Sequence, residues 1–364
     1  MRRRIGLLIA AIVLLARPVH AWSYKEHIQF ARLAAEELLD DPQTPPAMKD
    51  WLRQAVPDRL DLDAEKDYFL HTNVGTKPQG FHGVLAWVCV PDERSADKTK
   101  VAGFGVPERM LHFIDLELLD PDDRKRGYQH DLSGKPTLAD IPREMSDPRY
   151  IQAGMLPFRV KQEYGDLVKA FREKRLTPAS ETDENNAVVI AAFLAHYAAD
   201  NTQPQHATLD YKSATYFASK YNIPNVHSEM EYRMLDDEKQ SFPELRAEYW
   251  PIFAEQLKTF NDPIATTDLV EATLEVSMKS YDALPLIGLA AMKAANQGGT
   301  PEKPQGTAGP FDTEAFFRFK GQWSGHEATV MEMKAYQTAW AVKRIQRLWL
   351  AAWNEASNST TAPQ

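Results

Sequence analysis

The stretch Ala195-His196-Tyr197-Ala198-Ala199-Asp200-Asn201-Thr202-Gln203-Pro204-Gln205-His206 places two imidazoles and one carboxylate between positions 196 and 206. It overlaps an apolar run, 187–199, that predicts a buried helix. Because His196 and Asp200 are four residues apart, this helix carries both side chains on one face. Pro204 ends the helix, so His206 can fold back toward the same point from a loop. The arrangement suits a bound metal ion; the alternative interpretation is a capped helix with two hydrogen-bonded histidines.

The composition is that of an ordinary globular protein. The chain has 364 residues, of which 43% are hydrophobic and 26% charged, and it shows no internal repeat. Although this length exceeds the roughly 100–200 residues of a typical domain, a single large domain remains compatible with it. We predict one mainly α domain over 22–355, followed by a disordered Ser/Thr-rich tail at 356–364.

Helical periodicity covers most of that domain, and one segment departs from it. The segment 72–107 is rich in Gly and Pro, 81–90 has the composition of a strand, and 101–106 offers a partner across a charged turn. We therefore predict an inserted β-hairpin or long loop at 72–107. The predicted helices are 26–39, 48–56, 150–175, 185–201, 226–235, 251–260, 268–293 and 313–355.

The N-terminus has the organisation of a secretory signal peptide. Three arginines at 2–4 precede the apolar run 5–16, which is too short to span a bilayer comfortably, and Val19-His20-Ala21 offers a cleavage site. We predict cleavage after Ala21 and export to the periplasm or the medium, with a retained anchor as the alternative. No later stretch of the sequence predicts an integral membrane span.

Charge and cysteine content narrow the functional classes. Cleavage would remove four of the 42 basic residues and none of the 51 acidic ones, changing the formal net charge from −9 to about −13. Such a protein has no general electrostatic attraction to nucleic acid or anionic lipid. Cys89 is the only cysteine, so the chain forms no intramolecular disulfide.

Further candidate ligands lie outside the opening stretch. His227 and Glu231 repeat the four-residue spacing of an imidazole and a carboxylate on one helical face. His27 falls in the first turn of a predicted helix, Asp58 follows Val-Pro at a helix end, and His112 begins the sequence His-Phe-Ile-Asp. Nitrogen and oxygen donors of this kind are typical of zinc sites.

Together, these candidate ligands and their spacings resemble the zinc-binding residues of one superfamily. It joins bacterial zinc-dependent phospholipase C with the zinc-dependent single-strand nucleases. The resemblance covers about 22–235 and implies a helical fold with three zinc ions in one cleft. In that superfamily the mature chain begins with Trp, whose amine and carbonyl oxygen bind a zinc ion. The predicted cleavage would make Trp22 the first residue here.

The resemblance also implies a ligand set. A first zinc would be held by His112, His196, Asp200 and an upstream Asp, and a second by His206, His227 and Glu231. Trp22, His27 and Asp200 would hold the third, with Asp200 bridging. For the upstream Asp, Asp97 has the family's separation from His112, whereas Asp58 has the better local context if 72–107 is an insertion. We favour Asp58, which could also orient the attacking water or act as its base.

The implied reaction is phosphodiester hydrolysis, in which zinc activates water and polarises the phosphoryl group. Glu231 within His-Ser-x-x-Glu resembles phospholipase C, whereas the Trp22-to-His27 spacing and Thr-Gln-Pro at 202–204 resemble the nucleases. Where phospholipase C has its choline pocket, this chain has Lys25, Arg59 and Arg109, which argues against a choline headgroup. We favour a phospholipase C-like esterase acting on a phospholipid. The alternatives are a nuclease acting on single-stranded nucleic acid and a non-catalytic exported zinc-binding protein.

Overall fold

The structure, a computed structural model, describes residues 22–56, 83–119, 136–180, 182–219, 223–233 and 242–358. The predicted signal peptide lies outside these residues. Within them the fold is mainly α, as predicted, and no helix is both long and apolar enough to cross a membrane. The α-helices, numbered along the chain, are α1 Tyr24–Asp40, α2 Pro46–Ala55, α3 Val90–Arg94, α4 Tyr150–Ala153, α5 Leu156–Arg172, α6 Ala187–Asp200, α7 Val226–Tyr232, α8 Pro243–Thr259, α9 Leu269–Tyr281, α10 Leu284–Ala294, α11 Thr313–Arg318 and α12 Val330–Asn358.

Two small antiparallel hairpins accompany the helices. Strand β1 (Gly298–Thr300) pairs with β2 (Lys303–Gln305), and β3 (Lys320–Trp323) pairs with β4 (His326–Thr329). The first hairpin lies in a segment whose Gly and Pro content predicts a loop, and the second interrupts the helix predicted over 313–355. Short 3₁₀ turns occur at Val84–Ala86, Glu108–Leu111, Leu116–Leu119, Pro204–Ala207 and Ala214–Tyr216.

The core of the molecule is built around α6 and α12. Every residue of α6 is buried, which explains why, apart from His196 and Asp200, its sequence is apolar on all faces rather than along one. Helix α12 packs against α1, α5, α6 and α8. The indole of Trp349 in α12 donates a hydrogen bond of 3.1 Å to the Ala191 carbonyl of α6. The helix that carries His196 and Asp200 is therefore enclosed by its neighbours.

The prediction of a strand at 81–90 is wrong for residues 83–90, the part of this segment that the structure describes. These form the 3₁₀ turn Val84–Ala86 and the approach to α3. The consecutive residues Trp87, Val88, Cys89 and Val90 are all buried, so the run lacks the in–out alternation of a strand. Pro91 is the second residue of α3, where its missing N–H and fixed φ are compatible with the first turn of a helix. The predicted partner strand, 101–106, forms a tight loop instead, in which Val101 N–H donates to the Val106 carbonyl at 2.8 Å.

Other predicted helices are present with altered ends. The helix predicted at 150–175 is divided at Gly154, and that at 268–293 is divided between Tyr281 and Leu284. The final helix continues to Asn358, three residues into the segment predicted to be disordered, and 359–364 lie outside the described residues.

Candidate metal centre

Helix α6 positions the first two candidate ligands. Asn186 precedes the helix, and its side-chain oxygen accepts the amides of Val188 and Val189, which satisfies two otherwise unpaired donors. Near the other end, His196 Nε2 lies 3.4 Å from Asp200 Oδ2. The predicted one-turn spacing therefore brings these two side chains together.

The turn after α6 returns His206 to the same region. Gln203 accepts the Gln205 amide at 2.8 Å and so caps the 3₁₀ turn Pro204–Ala207. His206 Nδ1 is then 2.7 Å from the His112 carbonyl, and Ile114 N–H donates to the His206 carbonyl at 2.9 Å. These two contacts join the segment of His112 to that of His206.

A first cluster of donors surrounds Asp200. Its Oδ2 atom lies 3.0 Å from His112 Nδ1 and 3.4 Å from His196 Nε2, while its Oδ1 atom lies 3.3 Å from His27 Nε2. Asp92 completes the cluster, with Oδ1 at 3.6 Å from both His112 Nδ1 and His196 Nε2. All five residues are buried. Donor atoms bound to one tetrahedral zinc are about 3.3 Å apart, so these separations suit a shared metal ion.

A second cluster joins helix α7 to the turn of His206. Glu231 Oε1 lies 2.6 Å from His227 Nε2 and 3.9 Å from His206 Nε2. All three residues are buried, and the rings of His206 and His227 lie 5.3 Å apart. Together the two clusters contain three groups of His, Asp and Glu that could hold a metal ion: His27, Asp92 and His196; His112, His196 and Asp200; His206, His227 and Glu231.

Backbone carbonyls determine which ring nitrogen two of the histidines present. His196 Nδ1 lies 2.8 Å from the Val88 carbonyl, and His206 Nδ1 lies 2.7 Å from that of His112. A carbonyl only accepts hydrogen bonds, so Nδ1 carries the proton in each ring and the neutral ring has its lone pair on Nε2. In both residues Nε2 is the atom that faces the carboxylates of its cluster.

The electrostatics of the clusters favour a bound cation. Burial raises the pKa of the Asp200 carboxyl well above its ordinary value, and nearby Asp92 raises it further. Burial likewise raises the pKa of Glu231, and Asp92, Glu26 and Asp200 add to the effect. Ionised carboxylates buried this close together are costly unless a positive charge compensates them. A divalent cation would supply that charge.

Trp22 is anchored beside the first cluster. Its side chain is buried, and the indole Nε1–H donates a hydrogen bond of 2.9 Å to the carbonyl of Ala199, the residue before Asp200. Ser23 immediately precedes α1 and forms a capping box with Glu26. These contacts hold the start of the predicted mature chain close to Asp200.

Sequence reasoning missed Asp92. Asp97 is exposed, and its carboxylate accepts the Thr99 amide at 2.8 Å rather than joining a cluster. Asp58 lies outside the described residues. The signal that could have found Asp92 is local, because Val90-Pro91-Asp92 repeats the Val-Pro-Asp sequence of 56–58. Because 81–90 was predicted to be a strand, Val90-Pro91-Asp92 was not considered as the start of a helix that carries a ligand.

Comparisons with known proteins give no family assignment. No protein-family model matches this chain, and a search of curated proteins finds no match.

Proposed function

We propose that this chain, after export and cleavage before Trp22, is a zinc-dependent phosphodiester hydrolase resembling phospholipase C. The observation that carries the proposal is the position of Asp200. Its two carboxylate oxygens face different histidines, Oδ1 toward His27 and Oδ2 toward His112 and His196. A carboxylate placed in this way can bridge two metal ions, and centres with two close metal ions are typical of phosphodiester hydrolysis.

The donor set fits zinc. It consists of imidazole nitrogens and carboxylate oxygens, which are common zinc ligands. Asp200 Oδ1 and Glu231 Oε1 are buried and face imidazole nitrogens, His27 Nε2 at 3.3 Å and His227 Nε2 at 2.6 Å. A metal ion would bind the carboxylate oxygen and the facing nitrogen of each pair together.

We assign three ions to the site. His112, His196, Asp200 and Asp92 would hold the first, and His206, His227 and Glu231 the second. Trp22, His27 and Asp200 would hold the third. Asp92 replaces Asp58 in this assignment because it lies 3.6 Å from donor atoms of both His112 and His196.

Zinc bound here would supply Lewis acidity and activate water for attack on a phosphodiester. The chain's own residues would orient that chemistry. The Asp92 carboxylate would position the attacking water and accept its proton. The Val88 and His112 carbonyls would keep Nδ1 of His196 and His206 protonated, so that Nε2 remains a donor toward the site. Burial of the ligands would strengthen each electrostatic interaction with the reacting phosphoryl group.

Glu231 supports a phospholipid substrate. It resembles the carboxylate of phospholipase C where the nucleases tend to use Asp, and its oxygen lies 2.6 Å from His227. The net charge of the cleaved chain, about −13, also weighs against binding long polynucleotides. We therefore favour a phospholipid headgroup ester over single-stranded nucleic acid.

Two assays test this function. The protein starting at Trp22 is treated with a chelator, then reloaded with zinc, and hydrolysis of phospholipid vesicles and of single-stranded DNA is measured in parallel. We expect chelation to abolish phospholipid hydrolysis and zinc to restore it. Hydrolysis of DNA alone would identify a nuclease. Tight zinc binding with no hydrolysis of either would indicate a non-catalytic zinc-binding protein, and full activity without metal would refute the proposal.

A further inference from the structure

Lys334 is a fully buried cation that lies among the neighbours of the proposed ligands. It belongs to α12, and its Nζ atom lies 2.6 Å from Glu26 Oε1, with neither side chain exposed to solvent. The same ammonium donates a hydrogen bond to the Met230 carbonyl and lies 5.2 Å from the centroid of the Trp22 ring. A cation at this distance over an indole is attracted by the ring.

Each partner of Lys334 is a proposed ligand or stands next to one. Glu26 precedes His27, whose Nε2 faces Asp200 in the first cluster. Met230 precedes Glu231 of the second cluster, and Trp22 is itself a proposed ligand. Lys334 thus contacts three segments of the site, and none of these three contacts uses a donor atom of the two clusters.

The contacts with Glu26 fix the first turn of α1. One Glu26 oxygen accepts the Ser23 amide at 3.3 Å in the capping box, while the other faces Lys334. Because Lys334 also binds the α7 backbone, it sets where α1 stands relative to α7. These two helices carry His27 of the first cluster and Glu231 of the second.

We infer that Lys334 is a positioning residue that fixes the position of the first donor cluster relative to the second. The inference rests on the proposed function, since it concerns the same metal centre. Its charge contributes as well, because the Lys334 ammonium forms an ion pair with the buried Glu26 carboxylate. Removal of this cation would take a buried ion pair away from the Glu26 carboxylate.

Zinc titration of charge-removing variants tests the inference. Lys334→Met removes the ammonium at similar length, and the double variant Glu26→Gln with Lys334→Met removes both charges. The matched control is Lys343→Met in the same helix, which removes the ion pair from Lys343 to Glu37 of α1. Zinc affinity is measured by competition with a chromophoric chelator, and the melting temperature is measured on the metal-free proteins.

We expect Lys334→Met to weaken zinc binding by about 10–100-fold, as is usual when a residue supporting metal ligands is lost. Lys343→Met should bind zinc as the unaltered protein does. The double variant should regain metal-free stability, because no buried charge is left uncompensated, but not zinc affinity, because α7 and Trp22 remain unanchored.

Two outcomes would overturn the inference. One is unchanged zinc affinity in Lys334→Met; the other is recovery of both stability and zinc affinity in the double variant, which would show a merely structural ion pair. If Lys334→Met does not fold, the double variant still decides between these cases. Failure of the unaltered protein to bind zinc would instead refute the proposed function.

Discussion

The two carboxylate oxygens of Asp200 face different histidines of the site. Oδ1 lies 3.3 Å from His27, and Oδ2 lies 3.0 Å from His112. Glu231, by comparison, directs one oxygen toward both histidines of its cluster. The two carboxylates should therefore differ in how many metal ions depend on them.

Replacing the bridging residue should remove more metal than replacing a terminal ligand. We expect Asp200→Ala to lose two of three zinc ions and His206→Ala to lose one, because only Asp200 is proposed to serve two ions. Zinc per chain is measured by elemental analysis after dialysis. An equal loss from both variants would contradict the bridging role.

The upstream carboxylate gives a second comparison. Asp92→Asn should lower phosphodiester hydrolysis by about 100-fold or more, since it removes a ligand and the proposed base. Asp97→Asn should have no effect, because Asp97 is exposed and bound to the Thr99 amide. Asp58→Asn is assayed beside them, and an effect of Asp58→Asn alone would return the role to that residue.

At the scale of elements, the break between α4 and α5 supports the His112 segment. Gly154 has a φ of +98°, which L side chains rarely adopt, and a Cβ there would lie 2.2 Å from the Phe113 carbonyl. On either side of Gly154, Ala153 accepts the Asp115 amide at 2.6 Å and Met155 donates to the Met110 carbonyl at 2.7 Å. The backbone around Gly154 thus packs directly against the residues flanking His112.

Gly154→Ala should therefore damage both stability and metal binding. We expect a loss of about 2–4 kcal/mol in the free energy of unfolding, from backbone strain and displacement of the 110–115 segment, together with weaker zinc binding. The control is Gly165→Ala within α5, where a Cβ meets no atom within 4 Å. That variant should gain about 0.5–1 kcal/mol from the higher helix propensity of Ala. Denaturant titration and zinc competition measure both variants, and a neutral Gly154→Ala would contradict the argument.

Helix α5 also contains a buried acid that should make stability depend on pH. Burial raises the pKa of the Glu163 carboxyl to about 7, although Arg159 acts to lower it. Arg159 Nη2 lies 3.1 Å from Glu163 Oε1. Because the folded pKa exceeds the ordinary value of 4.5, the folded protein binds more protons than the unfolded one between these pH values. The contribution of Glu163 is thus fully present below pH 4.5 and is lost as pH rises through 7.

We expect Glu163→Gln to remove about 3 kcal/mol of this pH dependence. The free energy of unfolding of the metal-free protein is measured from pH 4.5 to 8, so that zinc binding does not contribute. Glu173→Gln, which alters an exposed pair with Arg175, is the control and should leave the slope unchanged. An unchanged slope in Glu163→Gln would show that this carboxyl titrates normally in the folded protein.

At the scale of the whole molecule, metal binding and stability should be coupled. The proposed ligands come from α1, α3, α6, α7 and the segments of His112 and His206, so bound zinc would tie most of the chain together. Cys89 forms no disulfide that could replace this effect. Zinc at 100 times its dissociation constant would add about 2.7 kcal/mol for each site that binds only the folded state.

Chelation should accordingly lower the melting temperature by at least about 5 °C, and zinc should restore it. Magnesium, which prefers octahedral oxygen ligands, should not. Calorimetry of the chelated and the zinc-reloaded protein measures the melting temperature. In Asp200→Ala, reloading with zinc should raise the melting temperature less than in the unaltered protein. Identical melting curves with and without zinc would contradict a structural contribution of the metal.

The helical fold and half of the candidate site follow from the sequence. Residues four apart on a helix must share a face, so the pairs His196 with Asp200 and His227 with Glu231 could be predicted from periodicity alone. Capping residues and Pro204 likewise determine where α6 begins and where the chain turns back. These features depend on contacts within a few residues, which the local sequence encodes.

Only the tertiary structure decided how those pairs combine. Asp92 joins the first cluster through contacts with His112 and His196, which lie 20 and 104 positions further along the chain. His112 presents Nδ1 to the first cluster. His196 and His206 present Nε2 to their clusters, because the Nδ1 atom of each donates to a backbone carbonyl from a distant segment. The break at Gly154 and the place of Lys334 also arise from long-range packing. Helix geometry fixes neighbours one turn apart, but which remote segments meet depends on how the whole core packs.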